Sequence, residues 1–163
     1  MDNLERNKIH NVTPVNFAVA EETGSQTLYR YKEGNLGRHS LLPSDEREKQ
    51  VVETITLDRF VANRDIDPAK VRFIKIDIEG YEYFAVRGAV KLLKHVPLIL
   101  TEYSPEMLKE RGFNPTEFLH FMQHHNYQPH QLIQGSMTPI ESDKNLDQGV
   151  TDIFWVKNGG CER

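Results

Sequence analysis

A single cysteine, no long apolar run and no cluster of basic residues set the first limits on this 163-residue chain. Cys161, near the polar C-terminus, excludes an internal disulfide framework and a multi-thiolate metal site. The 20 Lys and Arg residues are outnumbered by 24 Asp and Glu and interspersed with them, for a net charge of −4. No basic footprint for nucleic acid results, so nucleic acid is not an expected partner. Nothing approaches the roughly 20 apolar residues needed to span a bilayer, and the opening M-D-N-L-E-R-N-K lacks the apolar centre of a signal peptide. The reading therefore expects no membrane association and a cytoplasmic location. The glycosylation-type triplet Asn11-Val12-Thr13 carries no weight without a secretory signal. Ten glycines include no G-x-G-x-x-G, and neither internal repeats nor low-complexity stretches occur. A chain of this length buries roughly 70% of its unfolded surface as one domain, here expected over residues 1–157 with a polar tail at 158–163.

What is present centres on V-R-F-I-K-I-D-I-E-G-Y-E, residues 71–82. Phe73, Ile74 and Ile76 supply a β-branched and aromatic run, read as a strand covered on both faces with polarity at its carboxyl end. Asp77 and Glu79 follow, two residues apart, and on a continuing strand both would point to one side. Gly80 allows a sharp turn, and residues 83–94 read as a helix with Val86, Ala89, Val90 and Leu93 along one face. The next run, 96–103, is a second strand ending in Glu102. Strand, helix and strand with short connections predict a right-handed parallel unit, whose ligands bind outside the carboxyl ends of the strands. Three carboxylates, Asp77, Glu79 and Glu102, thus converge on one edge.

Elsewhere the pattern predicts an α/β domain. Residues 1–11 read as the end of a helix with Leu4 and Ile9 on its apolar side, and 12–20, 26–31 and 51–56 as strands. The polar stretch 32–50 reads as a loop or β-excursion, and 57–63 as a short helix. Ser104-Pro105 and Asn114-Pro115-Thr116-Glu117 are helix starts, Gly112 and Asn126 helix stops. The second of these helices buries Phe118, Phe121 and Met122. Late strands follow at 127–133, weakened by Pro129, and at 152–157, where Trp155 belongs to the core.

Taken together, L-E-R-N-K-I-H-N-V with A-V-A-E-E, E-T-I-T-L-D-R-F, I-K-I-D-I-E-G-Y-E with R-G-A, and L-I-L-T-E resemble the C-terminal two-thirds of an FkbM-type methyltransferase. The likeness covers most of residues 4–103 and extends more weakly to D-I-F-W-V. It implies an incomplete Rossmann-like class I fold, a mostly parallel sheet with a late antiparallel strand, in the order 3-2-1-4-5-7-6. It also implies S-adenosylmethionine as cofactor and a small-molecule acceptor methylated on a hydroxyl, such as a sugar or secondary metabolite. By resemblance, Asp77 orients or deprotonates the acceptor while Glu79 and Glu102 shape its pocket. Ala18 and Glu21 fall where the adenine is lined, and Ser40 in G-R-H-S-L-L near the mouth of the cofactor site. The family's first two strands, with the glycine loop and ribose acid, have no counterpart. An N-terminally truncated chain, inactive alone and with an exposed apolar edge at the fourth strand, is expected.

Other readings stand beside these. Glu79 could instead cap the next helix, and Glu82, in its first turn, suits dipole and cap chemistry. Ser40 could be an ordinary solvated loop serine. His120 and His124 share a helix face near His125 and His130, but spacing alone makes no zinc site, and no metal is expected. A strand ending D-x-E-G also resembles the nucleophile strand of haloacid-dehalogenase-type phosphohydrolases, yet Y-E-Y-F offers no phosphate-binding hydroxyl. A non-catalytic remnant or partner module of the same fold is the remaining alternative. Loops at 32–50 and 135–149 would assemble the acceptor pocket.

Overall fold

The computed structural model describes residues 2–30, 39–43, 48–110, 112–141, 146 and 149–159. After a short helix α1 (Asp2–Arg6), the chain runs extended and largely exposed to β1 (Ala18–Val19). Only these two residues of the 12–20 run form a strand, because only they find a ladder partner, in β3 (Glu48–Ile55). Ile9 is exposed, so the expected apolar side of the first helix is reduced to the half-buried Leu4. β2 (Gly24–Arg30) pairs antiparallel with β3, giving a three-stranded sheet in the order β1-β3-β2. The expected loop or excursion at 32–50 lies partly outside the described residues; its last three residues belong to β3, and Ser40 bridges to Tyr29.

Helix α2 (Leu57–Asn63) keeps the bounds read from sequence, opened by the Thr56 hydroxyl accepting the Arg59 amide at 3.0 Å. β4 (Ile74–Ile76) leads through the D-I-E-G segment into α3 (Glu82–Arg87). The single helix expected at 83–94 is instead broken. A Cβ placed on Gly88 would stand 2.4 Å from the Ala20 carbonyl oxygen, and the Asp58 carboxylate draws the Lys91 and Leu92 amides into a separate 3-10 turn at Leu92–Lys94. Val86, Ala89 and Leu93 are buried as expected, whereas Val90 is exposed.

β5 (Leu98–Tyr103) runs parallel to β4 and antiparallel to β8 (Thr151–Lys157). α4 (Pro105–Glu110) and α5 (Pro115–His124) intervene, and β6 (Tyr127–Ile133) with β7 (Ser136–Pro139) completes a sheet ordered β4-β5-β8-β6-β7. Asn114 caps α5 by accepting the Thr116 amide, and Asn126 takes the expected left-handed conformation, φ +65°. β7 falls in the stretch 135–149 that the sequence reads as loop. Its hairpin turn, Gln134-Gly135, has both φ values positive, the conformation whose twist suits a tight connection.

The protein is therefore mixed α/β. The sheets are mixed: β1–β3 and β4–β5 pair parallel, whereas β2–β3, β5–β8, β6–β8 and β6–β7 pair antiparallel, so that β4, β5 and β6 share one direction and β8 lies reversed between β5 and β6. Between sheet and helices lies the core of Trp155, Tyr127, Phe118, Ile99, Val86 and Leu93. Trp155 is fully buried and its indole donates to the Thr101 hydroxyl at 3.0 Å, so burial leaves no donor unpaired. β4 departs from the doubly covered strand expected of it. Among the described residues it has β5 as its one strand neighbour, and Phe73 is 47% exposed.

Candidate active site

At the carboxyl end of β4 the buried Ile76 is followed at once by a turn. Glu79 and Gly80 both adopt positive φ, +58° and +89°, so the strand does not continue, and the condition under which Asp77 and Glu79 would share one side is not met. Gly80 is needed where it stands. Besides its φ, a Cβ there would meet Leu42 Cδ1 at 2.9 Å and Met107 Cε at 3.1 Å. Ser40 explains the other flank of this turn. It is 2% exposed, its hydroxyl donates to the Glu79 carbonyl at 2.8 Å and accepts the Leu42 amide at 3.2 Å. The expected hydroxyl at the mouth of a cofactor site is thus committed inward, to holding the rim turn.

Glu82 is the residue the sequence reading placed too modestly. Cap chemistry is right in kind, but the side chain reaches backwards: it accepts the Ile78 amide at 2.8 Å and the Gly80 amide at 3.3 Å, and it is 3% exposed. Burial pushes its carboxyl up to about 7 against the opposing hydrogen bond from Ile78, and the nearby Glu102 charge adds to the rise. The signal lay in its neighbours. Y-E-Y-F-A-V sets the acid among residues that are all buried, which a solvent-facing first turn would not allow.

Asp77 stands exposed at the rim and forms an ion pair with Lys75, Nζ to Oδ2 2.6 Å, with both side chains about half exposed. The hydrogen bond and then the charge of Asp77 raise the Lys75 ammonium, with smaller contributions from Asp152 and Glu102. Glu102 is half-buried on β5 opposite Asp152 of β8 in the ladder. Around the strand ends the charges of Asp77, Asp152 and Glu102 act on Lys75, and that of Glu102 acts on Glu82. Lys75 and Asp152 were not singled out in the sequence: Lys75 joins the rim through its ion pair with Asp77, and Asp152 through strand pairing opposite Glu102.

Ala18 and Glu21 lie at the end of β1, in the other sheet. Ala18 lines a cleft of about 390 Å³ with Phe17, Leu28 and Val52, and none of residues 77–82 lines it. Glu21 Oε2 is buried, makes no hydrogen bond and lies 3.2 Å from Arg87 Nε. Helix α3 thus carries Glu82 to the rim turn at its start and Arg87 to the β1 end at its finish. Tyr81, just before Glu82, is buried and donates its hydroxyl to Gln26 Oε1 at 3.1 Å.

The described residues fit S-adenosylmethionine at one end only. A strand-end acid, Glu21, and an acidic rim suit an adenosine contact and a cationic sulfonium. Of the described glycines, Gly80 and Gly88 are closed off by protein atoms, while Gly24, Gly112, Gly135, Gly149 and Gly159 face open space. Among the described residues no group of three or more His, Cys, Asp or Glu side chains could hold a metal, and the His125 and His130 rings contact the Phe121 and Gln128 carbonyls. No helix among them is long and apolar enough to cross a membrane.

A family model described as the Methyltransferase FkbM domain matches residues 2–129, which span β1 to β5, the rim turn and α3 to α5. No curated protein and no solved structure matches the chain.

Proposed function

The chain belongs to the FkbM methyltransferase family, and from that premise we propose that it transfers a methyl group from S-adenosylmethionine to a hydroxyl oxygen of a small-molecule acceptor such as a sugar or secondary metabolite. The observation that carries this reading is the rim itself, within the matched region, where Asp77 is exposed beside Lys75 and Glu102 lies close enough to act on both Lys75 and Glu82. The order β4-β5-β8-β6, with β8 antiparallel to both neighbours, supports the 4-5-7-6 half of a Rossmann-like methyltransferase sheet.

Bound S-adenosylmethionine would supply an electrophilic methyl carbon. The protein's own tasks are then to hold the acceptor hydroxyl in line and to take its proton. Asp77 serves as acceptor-side base: an exposed carboxylate, oriented by the Lys75 ammonium 2.6 Å away. Glu102 and Asp152 keep that face acidic, which favours a cationic donor beside it. Glu79 contributes through its turn geometry, and Ala18 and Glu21 line the adenosine end.

The test is transfer of a tritiated methyl group at millimolar S-adenosylmethionine to a panel of sugars and polyhydroxylated metabolites, with Asp77→Asn alongside. Label on an acceptor that falls at least roughly 10²-fold in the variant supports the reading. Equal label with the wild type and Asp77→Asn overturns it.

A further inference from the structure

Among the described residues Glu82 is the buried acid, and the methyl-transfer reading gives it no direct part. Both of its hydrogen bonds to other residues go to backbone amides that precede its own helix, through one oxygen, Oε1, and its own amide also acts on the carboxylate. An ordinary helix cap would satisfy the first-turn amides of its own helix, so this acid serves the turn before it. That turn holds Glu79 at φ +58°, a conformation a side-chain-bearing residue adopts only when its surroundings impose it.

We propose that Glu82 is the positioning residue of the rim: its carboxyl oxygen, by binding the Ile78 and Gly80 amides, fixes the 77–81 turn and with it the place of Asp77. The Ile78 N–H belongs to the peptide plane that begins at the Asp77 carbonyl, so holding that N–H sets the Asp77 backbone torsion. Gly80 is held on the same oxygen two residues later, and the Ser40 hydroxyl holds the Glu79 carbonyl between them from the opposite side. The turn is thereby pinned at three consecutive residues. The charge of Glu102 on β5 acts on Glu82.

What the position of Asp77 serves rests on the methyl-transfer reading, but the pinning is measured without any acceptor. In the full chain, Glu82→Ala should speed amide exchange at Ile78 and Gly80 by roughly tenfold, the loss of one modest hydrogen bond each. It should also move the Asp77 Cγ and Lys75 Nζ resonances. Glu82→Gln, which retains an oxygen at the same place, should restore both. If the alanine variant leaves those side-chain resonances at their wild-type positions, or glutamine behaves as alanine does, the proposal is overturned.

Should Glu82→Ala fail to fold, the wild-type protein and Glu82→Gln decide the matter. Through a titration from about pH 5 to 9, the Ile78 and Gly80 amide shifts must follow the Glu82 carboxyl resonance in the wild type and stay still in the glutamine variant; any other pattern overturns it. Unchanged methyl transfer by Asp77→Asn would sink the functional reading and leave all of these resonances as they are.

Discussion

Gly88 lies so close beneath Ala20 that a Cβ on it would stand 2.4 Å from the Ala20 carbonyl oxygen, with Thr56 Cβ at 3.2 Å. One glycine thus sets how near α3 can approach the end of β1, and so how Arg87 reaches Glu21. Gly88→Ala should force that approach apart and destabilise the fold by about 1–3 kcal/mol. Gly24→Ala, with nothing within 4 Å and an ordinary φ, should stay within about 0.5 kcal/mol. Denaturant unfolding of the two variants checks the contrast, and equal effects would show that the close approach is not what Gly88 provides.

Asp77→Asn keeps the size of the rim side chain and removes its charge, so methyl transfer should fall by roughly 10²-fold or more. Glu79→Gln should cost less, because Glu79 acts through its turn. A purely structural Asp77 would give the reverse, a lower melting temperature with near-normal turnover. Rate and thermal melt on the same samples separate the two.

Binding of S-adenosylmethionine to residues 1–163 should be weak, with a Kd above ~100 µM, since the sequence holds no G-x-G-x-x-G for its methionine end. Isothermal titration calorimetry measures this directly. A Kd in the low micromolar range would mean that a complete site exists within this chain.

Glu82 should leave its mark on stability against pH. Burial raises its carboxyl from 4.5 to about 7, so the folded protein holds this proton more tightly than the unfolded chain does. Stability from this group is therefore fully present below about pH 4.5 and is lost as pH rises through about 7, by up to roughly 3 kcal/mol. Glu82→Gln cannot lose it. The unfolding free energy of the variant minus that of the wild type should rise across this window, and a flat difference would contradict the burial of the charge.

Phe73, 47% exposed beside an edge strand, should make the chain self-associate as concentration rises. Phe73→Lys should reduce that association. Sedimentation velocity across a concentration series checks it, and a wild-type monomer with slow amide exchange at residues 73–76 would show the edge to be protected.

The sequence by itself determined what depends on neighbours along the chain. Asn114 before Pro115, Thr56 before Leu57 and Asn126 after His125 act within a turn of their own position, so the bounds of α2 and α5 were legible. The apolar run ending in D-I-E-G likewise placed an acidic turn at a strand end, and its order among the other motifs placed the family. Tertiary structure decided what depends on distant partners. Whether Glu82 faced water or the interior was settled by the buried residues packed around α3. The role of Ser40 came from Glu79, 39 residues away. Residues 83–94 have helical periodicity throughout, yet Ala20 and Asp58, from outside that stretch, break the helix near Gly88. β4 was read as doubly covered because its own residues are apolar, but coverage belongs to the neighbouring strand, and the ladder gives β4 only β5 among the described residues. Local torsion and hydrogen-bond preferences are written residue by residue; burial, charge and pairing are properties of the pair, and only the folded chain supplies the second member.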